Sequence, residues 1–229
     1  MAKFMGSKRQ AGAATGVVPT LPPLPSDPFL AGRELLARLA PADAELLQSR
    51  WDRWGHDLIA GLAPVYDISV VLPRIVEIIV ASHDARTPHL RHRDLERTYH
   101  PDWYQEPSMV GYAMYTDRFA GDLQGVRDNI DYLNDLGITY LHLMPLLKPR
   151  TGPNDGGYAV ASYREVKPEL GTMNDLESLA SDLHGNGISL TLDLVLNHVA
   201  DQHEWAEKAR AGEAKYQDYF HIYPDRTQP

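Results

Sequence analysis

Apolar residues recur at helical spacing through the first third of the chain, between residues 29 and 98. The clearest helical face consists of Leu46, Leu47, Trp51, Trp54, Leu58, Ile59 and Leu62. A second helix is predicted to follow Pro73 and to bury Ile75, Val76, Ile78 and Ile79. Residues 29–98 are therefore predicted to form a small all-helical domain.

From Tyr99 onward the pattern changes to short apolar runs that alternate with amphipathic helices. Strands are predicted at 110–115, 140–144 and 188–196, and helices at 123–136 and 176–183. Gly137, Gly185 and Gly187 follow the helical stretches, where a left-handed residue commonly ends a helix. This alternation is typical of βαβ units, so we expect a parallel sheet with right-handed crossovers and an α/β fold.

The N-terminal 28 residues contain five prolines among small residues, at positions 19, 22, 23, 25 and 28. Such a composition buries little apolar surface and favours extended, solvated backbone. Residues 1–28 are predicted to be a flexible tail.

The overall composition excludes several classes of protein. The 229 residues carry a net charge of −9, which disfavours nucleic-acid binding through phosphate contacts, and the absence of cysteine excludes disulfides and thiolate chemistry. No run approaches the roughly 18 apolar residues of a membrane span, and the basic N-terminus lacks the apolar block of a signal peptide. We expect a cytoplasmic protein with neither a nucleic acid nor a membrane as its partner.

Three polar segments lie where predicted strands end. They are Asp117–Gly125, Asn154–Tyr158 and Asp193–His198. If the sheet closes into a barrel, all three reach its carboxyl-terminal face, where barrel enzymes place their chemistry. The period of two along the third strand predicts that Asp193 points inward while His198 lies over the rim.

Each segment also has a purely structural interpretation. Asp193 and Asn197 could fix loop backbone, with His198 a simple rim residue, and the glycine pair after Asp155 is typical of a tight turn. The sequence gives no sign of a metal site, because the second histidine of a zinc-protease helix would fall at Glu207 and no third ligand accompanies His198 and His203. No metal and no cofactor are expected.

Longer stretches around these segments resemble the α-amylase family, and within it the amylosucrases. The stretches are Gly111–Gly125, Tyr140–Leu146, Asp155–Tyr158, Asp193–His198, and Ser162–Arg164 with Gly171–Thr172 and His203–Ala206. The resemblance implies an incomplete (β/α)8 TIM barrel, with its first three strands in residues 99–200, preceded by the all-helical domain. Residues 201–229 would begin the loop domain that follows the third strand.

The resemblance also implies roles for individual residues. Amylosucrases cleave sucrose with retention of configuration and pass the glucose to an α-1,4-glucan or to water. Asp155 matches the acid on the pocket floor, Tyr158 the aromatic platform on which the glucose stacks, and His198 the histidine that stabilises the transition state. Asn197 and Asp193 match supporting positions, and sucrose and α-glucan are the implied partners.

One departure from the family pattern concerns the chemistry itself. Retaining cleavage needs a nucleophile and an acid/base carboxylate about 5 Å apart, which in this family follow the fourth and fifth strands. The nucleophile's Gly-x-Arg-x-Asp type of segment does not occur here, and about 120 residues follow Val110 where a whole barrel takes about 250. We therefore expect a chain that is inactive alone and has the missing C-terminal part of the barrel as a partner. A sucrose hydrolase and a non-catalytic carbohydrate-binding module are the alternatives.

Overall fold

The structure is a computed structural model that describes residues 23–225 and residue 227. The chain divides into two compact units, one ending at Thr98 and the other beginning at Tyr99. The predicted flexible tail lies outside the described residues as far as residue 22, and the first helix already begins at Pro28. None of the described helices is both long and apolar enough to cross a membrane.

The first unit is helical, as predicted. Its helices are α1 (Pro28–Leu39), α2 (Ala44–Leu62), α3 (Ile68–Ala85) and α4 (Pro88–Tyr99). Asp27 and Asp67 cap the starts of α1 and α3, because their carboxylates accept hydrogen bonds from the backbone N–H groups of Leu30 and Ser69. A buried cluster that includes Leu36, Leu47, Trp51, Leu72 and Val76 joins α1, α2 and α3.

The prediction that a helix follows Pro73 is wrong about where that helix begins. The helix begins five residues earlier, at Ile68, and contains Pro73 in its second turn. Proline there removes one main-chain hydrogen bond near the helix start, which the Asp67 cap and the buried apolar face outweigh. Val76 is buried as expected, whereas Ile78 is half exposed.

The close approach of α1 and α2 depends on a glycine. Trp51 is almost fully buried, and its indole N–H donates a 2.9 Å hydrogen bond to the carbonyl of Phe29. A Cβ atom added at Gly32 would lie 2.2 Å from the Trp51 ring. Only glycine at position 32 therefore lets the tryptophan pack this closely against α1.

The second unit alternates strands and helices. In chain order it contains β1 (Gly111–Met114), α5 (Thr116–Phe119), α6 (Leu123–Asp128), α7 (Ile130–Asp135), β2 (Tyr140–Leu143), β3 (Leu147–Pro149), β4 (Val160–Val166), α8 (Met173–Gly185), β5 (Ser189–Leu192), α9 (Glu204–Arg210) and α10 (Ala214–Gln217). Strands β1, β2 and β5 form a parallel sheet in the order β1-β2-β5, with Ala113 beside His142 and His142 beside Thr191. The predicted parallel sheet is confirmed.

Four local features differ from the sequence prediction. Strands β3 and β4 form a separate antiparallel pair that was not predicted, and β5 ends at Leu192 rather than Leu196. The predicted helix at 123–136 is broken at Asn129, whose side chain donates to the Gly125 carbonyl at 2.8 Å. Gly137 and Gly187 have the expected positive φ, whereas Gly185 is still helical.

Burial in the second unit separates the two faces of the sheet. Leu141 and Leu143 of β2 are fully buried in a cluster with Leu123 of α6 and Leu179 of α8, so they face the helices. Since side chains alternate along a strand, His142 lies on the opposite face. This face is the inner one of the predicted barrel.

Candidate functional site

Asp193 connects two other polar side chains at the carboxyl-terminal end of the parallel sheet. Its Oδ1 lies 3.0 Å from Nε2 of His142, and its Oδ2 accepts a 2.9 Å hydrogen bond from the phenol of Tyr158. The two carboxylate oxygens are thus bound by side chains from two separate parts of the sequence. We call His142, Tyr158 and Asp193 the Asp193 cluster.

Strand periodicity explains why these side chains meet. Asp193 comes two residues after Thr191, so it continues the inner face of β5 beyond the strand's end. His142 is the register neighbour of Thr191 on β2, one strand away. The side chains of His142 and Asp193 are 30% and 22% exposed, which leaves the pair accessible from the open face of the sheet.

Tyr158 is delivered by a tight loop that precedes β4. The Asn154 side-chain oxygen accepts hydrogen bonds from the N–H groups of Gly156 and Gly157 at 3.1 and 3.0 Å. Both glycines have positive φ, 83° and 98°, which other residues rarely adopt. The turn inferred from the glycine pair is therefore present, and it places Tyr158 against Asp193.

Asp155 and Tyr115 lie at the edge of the same loop. Asp155 accepts a 2.9 Å hydrogen bond from the N–H of Ala159, and the residue is exposed. The Tyr115 hydroxyl approaches Gly156 so closely that an added Cβ would lie 2.8 Å from it. The loop is thus closed by its own carboxylate on one side and supported by the Tyr115 ring on the other.

The electrostatics of Tyr158 reflect this cluster. The hydrogen bond to Asp193 raises the pKa of the Tyr158 phenol, and burial and the nearby charges of Asp193, Tyr115 and Asp155 raise it further. Asp155 therefore lies close enough to Tyr158 to act on it electrostatically. The phenol stays protonated at neutral pH and presents a neutral aromatic face.

His198 and Asn197 lie in the exposed loop after β5. The loop backbone is held by Tyr163 of β4, whose hydroxyl donates to the carbonyls of Val195 and His198, the latter at 3.3 Å. Burial raises the pKa of Tyr163, so it remains a donor. Among the described residues, no hydrogen bond or ion pair links the side chain of His198 or Asn197 to the Asp193 cluster or to Asp155.

The cavity beside Asp155 does not include the other predicted glucose contacts. Asp155 lines a cavity of about 340 Å³ together with Arg150, Pro153, Asn154 and Ala159. Neither Tyr158 nor His198 contributes to that lining. The structure thus brings Tyr158 and Asp193 together, leaves Asp155 at their edge, and holds His198 by its backbone alone.

Three residues in this region received no role from the sequence. They are His142, Tyr115 and Tyr163, which contact Asp193, the glycine turn and the His198 loop respectively. The signal for His142 was its place on the same alternating face as Asp193. Tyr115 and Tyr163 carried no comparable signal, because their roles depend on loop paths.

Metal binding has no support within residues 23–225. No group of three histidine or acidic side chains there is arranged to hold a metal ion. His203 is buried and caps α9, since its Nδ1 accepts the N–H of Trp205 at 3.2 Å. Its local role is therefore that of a helix cap.

A comparison with protein families gives one match. The family described as "Alpha amylase, catalytic domain" matches residues 88–229, more than half of the chain. The chain belongs to the α-amylase family. The parallel strands β1, β2 and β5 are accordingly three strands of a (β/α)8 barrel preceded by helices, and the predicted incomplete barrel is confirmed.

Curated relatives match somewhat more than half of this family member. The oligo-1,6-glucosidase of Parageobacillus thermoglucosidasius is 35% identical over 134 residues, which cover 55% of this chain and 23% of that protein. The human amino acid transporter heavy chain SLC3A1 is 36% identical over 133 residues, 55% of this chain and 19% of that protein. The chain thus spans about a fifth to a quarter of the length of the curated relatives it matches.

Solved structures match with similar coverage. The trehalulose synthase MutB from Pseudomonas mesoacidophila MX-45 is 34% identical with a TM-score of 0.49, covering 55% of this chain and 23% of that one. A MutB mutant solved with the substrate sucrose is 37% identical with a TM-score of 0.46, covering 50% and 22%.

Proposed function

We propose that this α-amylase family chain is part of a retaining glucosyltransferase of the amylosucrase type, which cleaves sucrose and passes glucose to an α-1,4-glucan. The observation that carries the proposal is the 2.9 Å hydrogen bond between Tyr158 and Asp193, which fixes an aromatic ring at the carboxyl-terminal ends of the barrel strands. Barrel enzymes bind substrates at that face. A neutral aromatic ring suits the apolar face of a pyranose.

The site residues divide the work of holding one glucosyl unit. Tyr158 stacks against the sugar ring, Asp155 binds its hydroxyls at the pocket floor, and His198 binds a hydroxyl and stabilises the transition state. Asp193 positions Tyr158, and Asn197 supports the loop. The unbound oxygen of Asp155 supports this assignment, because only Oδ1 is used by the Ala159 N–H.

The transition state of glycoside cleavage has oxocarbenium character, so hydrogen bonds to the sugar strengthen as its ring flattens. The exposed imidazole of His198 is free to make such a bond, since the loop is held through its carbonyl rather than its ring. A retaining reaction also needs the two carboxylates about 5 Å apart. We propose that neither is among these residues and that the 229-residue polypeptide alone does not turn over sucrose.

The unpaired edges of the described sheet favour a partner that contributes further barrel strands. Within the described sheet β2 is the central strand, and β1 and β5 each pair on one side only. Leu194 and Leu196, just beyond β5, are 65% and 75% exposed. An unpaired parallel edge beside exposed leucines favours pairing with additional barrel strands.

Two measurements on the purified chain test the proposal. Incubation with sucrose should release no fructose, whereas saturable binding of sucrose should be detectable and should be lost in Tyr158→Ala. Tyr223→Ala is a matched control, because Tyr223 is a half-exposed tyrosine of the same unit outside the cluster. Fructose release by the chain alone would overturn the inactivity, and sucrose binding that is absent, or unchanged in Tyr158→Ala, would overturn the sugar site.

A sucrose hydrolase remains within the same proposal, since it differs in whether water or glucan accepts the glucosyl group. A gene that continues past Pro229 would encode the longer enzyme, and its products on sucrose would distinguish the two. Added glucan would be elongated by a transferase, whereas a hydrolase would release free glucose and leave the glucan unchanged.

A second candidate is a non-catalytic module of the same family. The similarity to SLC3A1, whose name describes a transporter heavy chain, favours it, because a 36% identical relative is described by a role other than sugar cleavage. A gene that continues past Pro229 without a Gly-x-Arg-x-Asp segment, together with sugar binding by the chain, would support this module over the enzyme.

A further inference from the structure

A separate cavity of about 300 Å³ is lined in part by the turn that carries Tyr158. It is formed by Tyr115–Arg118 after β1, by Pro145 before β3 and Pro149 at its end, by Asn154, Gly156 and Gly157 of the turn, and by Lys167 and Leu170 after β4. Asp155, Tyr158 and His198 do not contribute to its lining. The cavity is therefore distinct from the proposed glucose contacts, although it shares the loop that supports them.

One buried polar group in this lining has no partner. Thr116 is only 1% exposed, and its hydroxyl makes no hydrogen bond within the described part of the chain. Buried hydroxyl groups are nearly always hydrogen-bonded in folded proteins. The Thr116 hydroxyl is therefore an unpaired polar group in the wall of this cavity.

Two cations in the same lining also lack acidic partners. Lys167 is half-buried and Arg118 is exposed, and neither forms an ion pair with any residue between 23 and 225. Arg118 lies over the ring of Tyr115, at 4.9 Å from its centroid, which holds the guanidinium beside the cavity. By contrast, Lys148 and Arg127 in the same unit pair with Glu165 and Asp182.

The charge of the lining favours an anion. Asp117 is its one carboxylate, and that side chain already accepts the N–H of Arg118 at 3.0 Å. The cavity thus has two cations against one acid, in a chain whose net charge is −9. Hydrogen bonds from guanidinium and ammonium groups to oxyanions are shorter and stronger than those between neutral groups.

We propose that this cavity, defined by Thr116, Arg118 and Lys167, is a binding site for a phosphate group. A phosphate ion and several waters fit within about 300 Å³, given about 30 Å³ for each water. The same space admits the phosphate of a small phosphorylated sugar, so the shared chemistry is the phosphoryl oxygens. This inference is independent of the proposed sucrose activity, because it uses none of the glucose contacts.

Titration of the full 229-residue protein with inorganic phosphate, followed by ³¹P NMR and calorimetry at constant ionic strength, tests the proposal. Saturable binding with one site is expected. Lys167→Met should weaken it about tenfold or more, because a charge-assisted hydrogen bond is lost. Thr116→Val, which replaces the hydroxyl with a methyl group, should weaken it by about threefold to tenfold.

Lys215→Met is the matched control, since Lys215 lies in the same unit on α10 and does not line the cavity. It should bind phosphate as the wild type does. Lys167 makes no ion pair, so Lys167→Met should keep the wild-type melting temperature and will decide the matter even if Thr116→Val fails to fold. A phosphate titration without saturation, or an equal loss in Lys167→Met and Lys215→Met, would overturn the site.

A parallel titration with glucose 6-phosphate distinguishes the two sources of the phosphate group. Binding about tenfold tighter than that of inorganic phosphate assigns the site to phosphorylated sugars, and equal binding assigns it to the free ion. Both results support the site only if Lys167→Met weakens them. Binding of the ester that is unaffected by Lys167→Met would count against it.

Discussion

Tyr158 and Asp193 are 35 positions apart in the chain and are joined by a 2.9 Å hydrogen bond from phenol to carboxylate. The bond ties the glycine turn before β4 to the end of β5. Because His142 holds the other oxygen of the same carboxylate, the orientation of the Tyr158 ring depends on two strands of the barrel as well as on its own loop.

The effect of the Asp193 carboxylate on the pKa of Tyr158 should be measurable by titration. The hydrogen bond raises the pKa of the phenol above its ordinary value of about 10, so Asp193→Asn should bring that pKa back down. Because the folded-state pKa of Tyr158 is raised, its hydrogen bond to Asp193 stabilises the folded state fully below about pH 10. This stabilisation is lost as the pH rises through the folded-state pKa. Tyrosinate absorbance, compared with that of Tyr158→Phe in each background, isolates this one residue. Superimposable difference curves with and without Asp193→Asn would contradict the assignment.

His142 should stabilise the second unit through the same carboxylate. His142→Ala removes a partly buried hydrogen bond, so the free energy of unfolding should fall by about 0.5–1.5 kcal/mol. Urea unfolding measures the change. His221→Ala, at an exposed histidine of the same unit, should be neutral. An equal effect of the two substitutions would show that the His142 bond does not contribute to stability.

The start of α8 predicts a stability that depends on pH. Thr172 and Asp175 form a reciprocal capping box, and hydrogen bonds from Thr172 lower the pKa of the Asp175 carboxyl. A lowered pKa gives a stabilisation that is present above about pH 4 and is lost as the pH falls through the folded pKa. Asp175→Asn should therefore be less stable than wild type at pH 7, and the gap in the free energy of unfolding should narrow as the pH falls below about 4.

Glu177→Gln on the same helix is the control for this experiment, because Glu177 is exposed and outside the capping box. Its unfolding curve should follow that of the wild type over the same pH range. A gap for Asp175→Asn that does not narrow at all as the pH falls below about 4 would mean that the carboxylate charge is not what stabilises the helix start.

Two glycines of the helical unit should respond in opposite directions to alanine. Gly32→Ala places a methyl group 2.2 Å from the Trp51 ring and should reduce stability by about 1–3 kcal/mol. Gly61→Ala, in α2 with open space around it, should increase stability by about 0.5 kcal/mol. Thermal unfolding measures both. Similar effects of the two substitutions would contradict the close packing of α1 on Trp51.

The barrel strands could be predicted because their apolar residues form short, continuous runs. Leu141 and Leu143 alternate within such a run and become fully buried against the helices. The β3 and β4 pair was missed because β4 mixes polar and apolar residues without a clear period. The break at Asn129 was missed because the apolar period of Leu123, Val126, Ile130 and Leu133 continues across it.

The candidate site was predictable only where strand periodicity or turn residues govern it. Asp193 continues the inner face of β5, and the glycines after Asp155 form the expected turn, so both could be placed from the sequence. The partners of Asp193 could not, because contact with His142 and Tyr158 depends on strand register and on a loop path. The roles predicted for Asp155, Asn197 and His198 remain predictions. Asn197 and His198 lie in an exposed loop whose backbone is held by Tyr163.

The binding of glucose to the Tyr158 ring is the most direct test of the sugar site. Saturation-transfer difference NMR of glucose with the purified chain should show saturable contact with aromatic protons. The signal should disappear in Tyr158→Ala and persist in Tyr223→Ala. An equal glucose signal in the wild type and in Tyr158→Ala would contradict the claim that the Asp193 cluster positions a platform for a glucosyl unit.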